Sequence, residues 1–524
     1  MLEEISAEYP HRVAVIDAET GGQRTYAQLQ ARACRVANAL ASLGIKQGDT
    51  FGLLMHNCIE YLEILYGAAK IGATAVLVNR RLSSSEMAYE LNDSRSAGLV
   101  FSPKFAAAAN DLKKNLDRKL WWMQSGGKET ARAEGVQDLE AILSSASEAP
   151  PILGSEVDLS DAGWVIIYTS GTTGKPKGVV LTQGNIVAAN NTTSRFIWAR
   201  YGAALTPVVR GLVTAGLNHI GGLTTSSTPV LADGGQLVLL DDFDPRKMLA
   251  AIERYRINLA FSIGQMWNRV VEEDLGAYDF SSLQLIGTCI AQHTDRQLRL
   301  LNEGFGAEVY YMFGQTETTT GLVTTRRTID LFGRKGTIGK PHGYMETRIV
   351  DDSGKQVPVG EVGELQYRGP TVFKEYYGKR DDTKNAFING WFRSGDLVKE
   401  DADGYLYFAD RLKDMVKSGG LNVFTVEVEQ LLTKHPDIAD CAVAGTPHEK
   451  WGEAVTAFIV PAKGKSLTAP QIIEFCRPQI AAYKIPKRIC FVAEIPMNAL
   501  GKRLKRELVS LVLSGKLVPE QTEA

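Results

Sequence analysis

The residues best suited to hold a polyphosphate crowd into Tyr168–Thr182, which reads YTSGTTGKPKGVVLT. Glycines let backbone N–H groups come close to phosphate oxygens, Ser and Thr hydroxyls donate hydrogen bonds, and lysine adds positive charge. The apolar run WVIIY (164–168) leads into it, so the pattern is a buried strand opening into a phosphate loop. It is not the GxxxxGK[ST] P-loop, because Lys175 is followed by Pro176 and the spacing differs. The stretch is read as a loop for the triphosphate of ATP. Further charged and aromatic groups stand in short distinctive strings: Phe313, Thr316 and Glu317 in MFGQTET, Asp396 in WFRSGDL, Arg411 and Lys413 in DRLKDMVKSGG, and Lys502 in NALGKRLKR.

These strings resemble, in order, the motifs of the adenylate-forming superfamily: acyl-CoA synthetases, the adenylation domains of peptide synthetases, and luciferases. YTSGTTGKPKG is similar to the family's phosphate loop and MFGQTET to its adenine and magnesium motif. GELQYRGP (363–370) and WFRSGDL (391–397) match the next two, DRLKDMVKSGGLNVFTVEVE (410–429) its hinge, and PMNALGKRLKREL (496–508) its terminal lysine motif. The resemblance covers nearly the whole chain. It implies an AMP-forming acid:CoA ligase. A carboxylate attacks the α-phosphate of ATP, giving an acyl-adenylate and pyrophosphate, and coenzyme A then displaces AMP. Both steps gather anions, so the site must supply cations and donors rather than a covalent nucleophile.

By the same resemblance, Thr169, Ser170, Gly171, Thr172, Thr173, Gly174 and Lys177 hold phosphates. Phe313 stacks on adenine beside Gly314. Thr316 bonds a phosphate oxygen and Glu317 binds Mg2+. Asp396 accepts the ribose hydroxyls, Arg411 contacts ribose or phosphate, and Lys502 bridges carboxylate and α-phosphate during adenylation. Lys413 matches the hinge. Lys417, Gly419, Gly420 and Trp451 fall near the phosphate or the pantetheine entrance, and ordinary packing is an equal reading for Trp451. His219, in GLNHIGGL, matches the segment that closes the carboxylate site, with a satisfied loop histidine as its other reading.

Gly287 and Ile290 belong to the turn GTCIAQH (287–293), where the family carries smaller residues; the bulk of Thr288, Cys289 and Ile290 departs from that pattern. Cys289 has no base motif beside it and is read as pocket lining. Thr425 stands where proline is common and is expected to cap the helix that follows. The residues around the expected acyl pocket are small or apolar, which suits an apolar acid. An amino acid's ammonium would need a buried acidic partner, and the sequence offers no clear one. The alternative is a stand-alone adenylation enzyme that loads a carrier-protein thiol. Nothing in the sequence speaks for a luciferase-like oxygen chemistry, and the presence of Glu317, Asp396, Arg411 and Lys502 disfavours a silent homologue.

The elements that must position these groups follow from hydrophobic patterning. A capping box at Thr25 and Gln28 opens a helix that Gly44 stops, and Asn57 with Glu60 is expected to cap the next. Apolar strands at 51–55, 75–78, 98–101, 236–240, 259–262, 283–286 and 309–312 alternate with helical stretches at βαβ spacing. Residues 102–160 read as a surface connection. From about 330 to 410 short runs and turns such as DDSG and DADG indicate antiparallel β structure. The expected fold is α/β: a large N-terminal domain (1–410) with two doubly wound sheets and a small β-barrel-like subdomain, then a smaller mobile α+β C-terminal domain (411–524) carrying Lys502.

With 524 residues, 44% hydrophobic and 23% charged, and a net charge of −2, the chain is of multidomain globular type with no basic surface for nucleic acid. Cysteines 34, 58, 289, 441, 476 and 490 form no CxxC pair, which suits a reducing cytoplasm. No secretory signal or transmembrane segment is expected, the partners being a small carboxylic acid and CoA, and the assembly a monomer or homodimer.

Overall fold

The computed structural model describes residues 1–126, 131–152, 158–169, 175–194, 208–289, 295–325, 328–341, 345–497 and 503–522. Ser170–Gly174, Ile290 and Lys502 lie outside the described residues. The chain separates into two compact units, Met1–Thr347 with Tyr367–Phe392, and Arg348–Gln366 with Arg393–Ala524.

Two sheets organise the first unit. In one, strands run in the order 375–376, 177–182, 163–169, 74–77, 50–54, 98–101, 121–124 and 137–138. In the other, the order is 337–341, 321–324, 308–314, 285–289, 259–263, 210–213, 236–239, 13–17 and 23–25. The central neighbours are parallel, as in the pairs of 259–263 with 285–289 and 285–289 with 308–314. Strands buried on both faces read as unbroken apolar runs, which is why FGLLM, AVLV and WVIIY stand out in the sequence. The helix Tyr26–Ser42 has the expected capping box, with Gln28 N–H donating to Thr25 Oγ1.

Three expectations change. The described part of 102–160 is more than a surface connection: strand Trp121–Gln124 joins the sheet and helix Leu139–Ser145 packs on helix Tyr26–Ser42, with Arg32 paired to Glu140 at 2.6 Å. Asn57 does not cap the helix Ile59–Lys70, whose N-cap is Cys58. Its amide instead donates to the carbonyls of Ala215 and Leu240 and accepts from Leu217 N–H, satisfying three buried backbone groups. Thr425 is the first residue of helix Thr425–Leu432 rather than its cap.

In the second unit, a sheet runs 421–423, 416–418, 452–461, 488–491 and 520–521, with 438–448 also paired to 452–461. Alternate residues fill its two faces. Cys441, Val443, Val455, Ala457 and Ile459 pack with helices Thr425–Leu432 and Ala469–Cys476, while Ala442, Ala444, Phe458 and Cys490 pack with Leu508 of helix Lys505–Leu513. The same unit holds residues 393–400 of strand Trp391–Glu400, paired antiparallel with strand Leu406–Arg411. Among the described residues no helix is long and apolar enough to cross a membrane.

Candidate active site

In the first unit Thr169, Gly314 and the turn Thr316–Thr318 lie at or just past the C-terminal ends of strands, where ligands of open α/β sheets bind. Thr169 ends strand Gly163–Thr169 and is in antiparallel register with Lys177, so the segment between them leaves and re-enters one ladder. The neck is braced from outside. Tyr168 Oη donates to Asp93 Oδ2 at 2.9 Å, Lys379 Nζ reaches Asp93 Oδ1 at 2.5 Å, and Tyr89 Oη donates to the Pro176 carbonyl at 2.9 Å. Burial and the Asp93 carboxylate push the Tyr168 phenol upward, so it stays a donor. Lys177 is paired with Asp382 at 2.5 Å.

Strand Glu308–Gly314 delivers the next group. Gly314 is required there: a Cβ would sit 2.5 Å from the Thr320 carbonyl oxygen. Phe313, partly buried, pairs with Val323. The following turn, Thr316–Thr318, carries the buried Glu317 and ends on Thr319 in the left-handed region at φ 63°. That non-glycine conformation is held by Thr319 Oγ1 donating to the Thr371 carbonyl at 2.6 Å and by Thr224 Oγ1 donating to the Thr319 carbonyl. Phe373 N–H donates to the Glu317 carbonyl at 2.8 Å, and Tyr376 Oη donates to Glu317 Oε1 at 3.0 Å.

Gly287 lies on the neighbouring strand Leu285–Cys289. A Cβ would fall 2.4 Å from Phe261 and 2.5 Å from the Tyr310 oxygen, so aromatic packing alone demands glycine. Burial pushes the Cys289 thiol up to about 12, which keeps it an inert pocket-type group, not a thiolate nucleophile. His219 is half-buried, with Asn218 Nδ2 3.3 Å from its Nε2. Burial, then the Arg81 and Arg80 guanidiniums, lower the imidazole to about 4. His219 is therefore neutral at physiological pH.

The second unit carries the other group. Asp396 is fully buried, and its Oδ1 is 2.6 Å from Arg411 Nε across the pair of strands that holds both. Burial lowers the Lys413 ammonium below its ordinary value, with Arg411 and Arg506 adding to the effect and Asp414 and Asp396 opposing it. Lys417, Gly419, Gly420 and Trp451 do come together. Gly419 N–H donates to the Trp451 carbonyl at 2.8 Å, and the indole lies where a Gly419 Cβ would be, 2.9 Å away. Gly419 and Gly420 have φ 59° and 81°, which turn the hairpin between Ser418 and Leu421. Trp451 is thus a half-buried packing residue against this turn.

The segment that contains Lys502 has a defined neck. Met497 bridges to Arg503, and Leu504 N–H donates to the Pro496 carbonyl at 2.8 Å. Beyond the neck is a charged network that sequence reading missed. Arg503 pairs with Asp440 at 2.6 Å, Lys505 with Glu429 at 2.7 Å, and Lys505 Nζ donates to Thr425 Oγ1 at 2.7 Å. Thr425 Oγ1 donates in turn to Asp410, which also accepts the Thr425 backbone N–H. Tyr376, Asp382 and Asp93 were missed too. Their partners are far away in sequence, and only the run EYYGKRDD, dense in aromatic and charged residues, offered a hint.

One buried carboxylate suits Mg2+, which is bound through one or two carboxylates and substrate phosphates rather than a full protein cage. Among the described residues there is no cluster of three or more His, Cys, Asp or Glu able to hold a metal.

Comparison with known proteins identifies the family. Residues 2–377 match the AMP-binding enzyme model and residues 427–502 the AMP-binding enzyme C-terminal domain. A feruloyl-CoA synthase from an Amycolatopsis species is 34% identical over 501 residues, covering 95% of this chain and 96% of that one. A long-chain-fatty-acid–CoA ligase, FadD13, from Mycobacterium tuberculosis is 33% identical over 513 residues, covering 97% of both. The solved o-succinylbenzoate coenzyme A synthetase (MenE) of Bacillus subtilis, in complex with ATP and magnesium ion, superposes with a TM-score of 0.81 at 28% identity, over 97% of this chain and 98% of that one. The chain belongs to the AMP-binding enzymes of the adenylate-forming superfamily, in the branch of AMP-forming acyl-CoA synthetases.

Proposed function

We propose that this acyl-CoA synthetase activates an apolar carboxylic acid, fatty, aromatic or alicyclic, and transfers it to coenzyme A. The enzyme class uses ATP, Mg2+ and CoA, forming an acyl-adenylate and pyrophosphate before the thioester and AMP. The observation that carries the choice of acid is the setting of His219. Its imidazole is lowered chiefly by burial, with smaller contributions from Arg81 and from Arg80, which is itself paired with Asp242 at 2.6 Å. A buried setting of this kind penalises an ammonium that has no acidic partner, which disfavours amino acids. Met312 and Leu223, both buried, and the protonated Cys289 add apolar character on neighbouring elements.

The roles divide by unit. In the first, Lys177, Thr169 and Thr316 take phosphate oxygens, with the hydroxyls and glycines of 170–174 adding donors. Phe313 covers the adenine beside Gly314, and Glu317 holds magnesium, which when bound neutralises phosphate charge. In the second, Asp396 accepts from ribose hydroxyls and Arg411, fixed by Asp396, faces ribose or phosphate. Lys502 brings its ammonium to the carboxylate and α-phosphate. Lys413 is the hinge between an N-terminal part (1–410) and a C-terminal part (411–524), whose lysine motif serves adenylation and whose Lys417, Gly419 and Gly420 turn, on which Trp451 packs, serves the CoA step. Pyrophosphate release measured against a panel of acids, with and without CoA, tests the reading. Release with apolar acids and CoA consumption is expected. No release with any carboxylate would sink it, and release without CoA consumption would transfer support to a carrier-protein thiol.

A further inference from the structure

One aromatic side chain touches both charged groups assigned to the phosphate end of ATP. Tyr376 lies on strand Glu375–Tyr376, in antiparallel register with Val179, two residues beyond Lys177. Its hydroxyl donates to Glu317 Oε1 at 3.0 Å, and Lys177 Nζ sits 5.1 Å from its ring centroid. Asp382 holds that same ammonium from the next turn of chain. The tyrosine is itself well fixed. Tyr377 N–H donates to the Gly178 carbonyl at 2.8 Å, Tyr376 N–H to Thr383 Oγ1 at 3.0 Å, and the Phe373 ring lies 4.8 Å from the phenol ring.

We infer that Tyr376 is a positioning residue for the magnesium-bound nucleotide, fixing the rotation of the Glu317 carboxylate with its hydroxyl and the place of the Lys177 ammonium with its ring. The inference rests on the reading that Glu317 takes the metal and Lys177 a phosphate. An outer partner that orients a metal-binding carboxylate matters because magnesium tolerates little departure from octahedral geometry. An ammonium over an aromatic face keeps its charge while losing rotational freedom.

Tyr376→Phe removes the hydroxyl and keeps the ring. Mn2+ binding to the enzyme–ATP complex, followed by electron paramagnetic resonance, is expected to weaken about tenfold. ATP binding without divalent metal, followed by calorimetry, is expected to stay unchanged. Tyr376→Leu removes both contacts and is expected to weaken metal-free ATP binding as well. Should that variant not fold, Tyr376→Phe decides alone, since its ring still packs on Phe373. Glu317→Gln and Lys177→Ala are the controls. If Glu317→Gln leaves Mn2+ binding intact, or Lys177→Ala leaves ATP binding intact, the underlying site reading fails. If Glu317→Gln weakens Mn2+ binding and Tyr376→Phe does not, the inference about Tyr376 is overturned.

Discussion

The ammonium of Lys505 lies 2.7 Å from a carboxylate oxygen of Glu429, and the other contacts of both residues are also internal to the second unit. Glu429 Oε1 accepts the Val443 backbone N–H at 2.8 Å, while the Lys505 side chain is 15% exposed and that of Glu429 9%. Removing Lys505 leaves Glu429 the longer Arg503 Nη1 contact at 3.8 Å and a largely shielded charge, close to the costly case for ion pairs. Lys505→Met is expected to lower the unfolding free energy of the protein by about 3 kcal/mol in urea titration. Adding Glu429→Gln, which keeps the acceptor for Val443 and removes the charge, is expected to recover a large part of that loss. A double variant no better than the single one would show that charge is not the cause.

Lys502→Ala is expected to abolish acyl-adenylate formation while thioester formation from a supplied acyl-adenylate survives. The two half-reactions are read separately, by pyrophosphate exchange and by CoA consumption. Equal loss of both would remove Lys502 from the adenylation step.

Lys413→Pro should give the opposite split. Proline fixes φ and restricts the residue before it, so a backbone rotation at this point becomes difficult. Thioester formation is expected to fall while adenylation persists, and unchanged overall turnover would count against a hinge at Lys413.

Glu90 gives a prediction on pH. It is buried on helix Ser84–Asp93, its Oε2 has no hydrogen-bond partner among the described residues, and burial raises its carboxyl to about 8. The native state therefore keeps a proton that the unfolded chain, with an ordinary carboxyl near 4.5, has lost. Stability contributed by this group is present below about pH 4.5 and declines as pH rises toward 8, with a slope of at most roughly 1.4 kcal/mol per pH unit. Glu90→Gln, neutral throughout, is expected to flatten that part of the stability profile in thermal unfolding at pH 5, 6, 7 and 8. Parallel profiles for the two proteins would refute it.

The thiols are expected to be silent. Burial raises all of Cys34, Cys58, Cys289, Cys441, Cys476 and Cys490 above the ordinary thiol range. A disulfide-exchange reagent at pH 8 should titrate essentially none of them rapidly in the native protein and six in denaturant. Rapid reaction of Cys289 in the native state would contradict its place as inert lining.

Much of the fold was legible because buried parallel strands write themselves as short apolar runs. The capping box at Thr25 needed only local chemistry. The stretch 168–182 stood out for its glycines, hydroxyls and lysines at the close spacing that suits a polyphosphate, and Glu317 for the resemblance of MFGQTET to a family motif. What was not legible depends on distant partners. Asn57 looks like a cap residue, yet it serves carbonyls near residues 215 and 240. Thr425 looks like a cap, yet its hydroxyl is taken by Asp410 and Lys505. Tyr376 carries no local mark of its contact with Glu317, since strand pairing with 177–182 brings it there.

The Asp410–Thr425–Lys505 chain of contacts bears on protein engineering. A chimera that takes its N-terminal portion from a relative and joins it after Asp410 imports that position from the donor, while Thr425, Glu429 and Lys505 come from this protein. Unless the donor also supplies an aspartate there, the Thr425 N–H and hydroxyl lose their acceptor. The safer crossover lies upstream, between Gly404 and Leu406 in the turn that precedes strand Leu406–Arg411, so that the whole network is inherited from one parent.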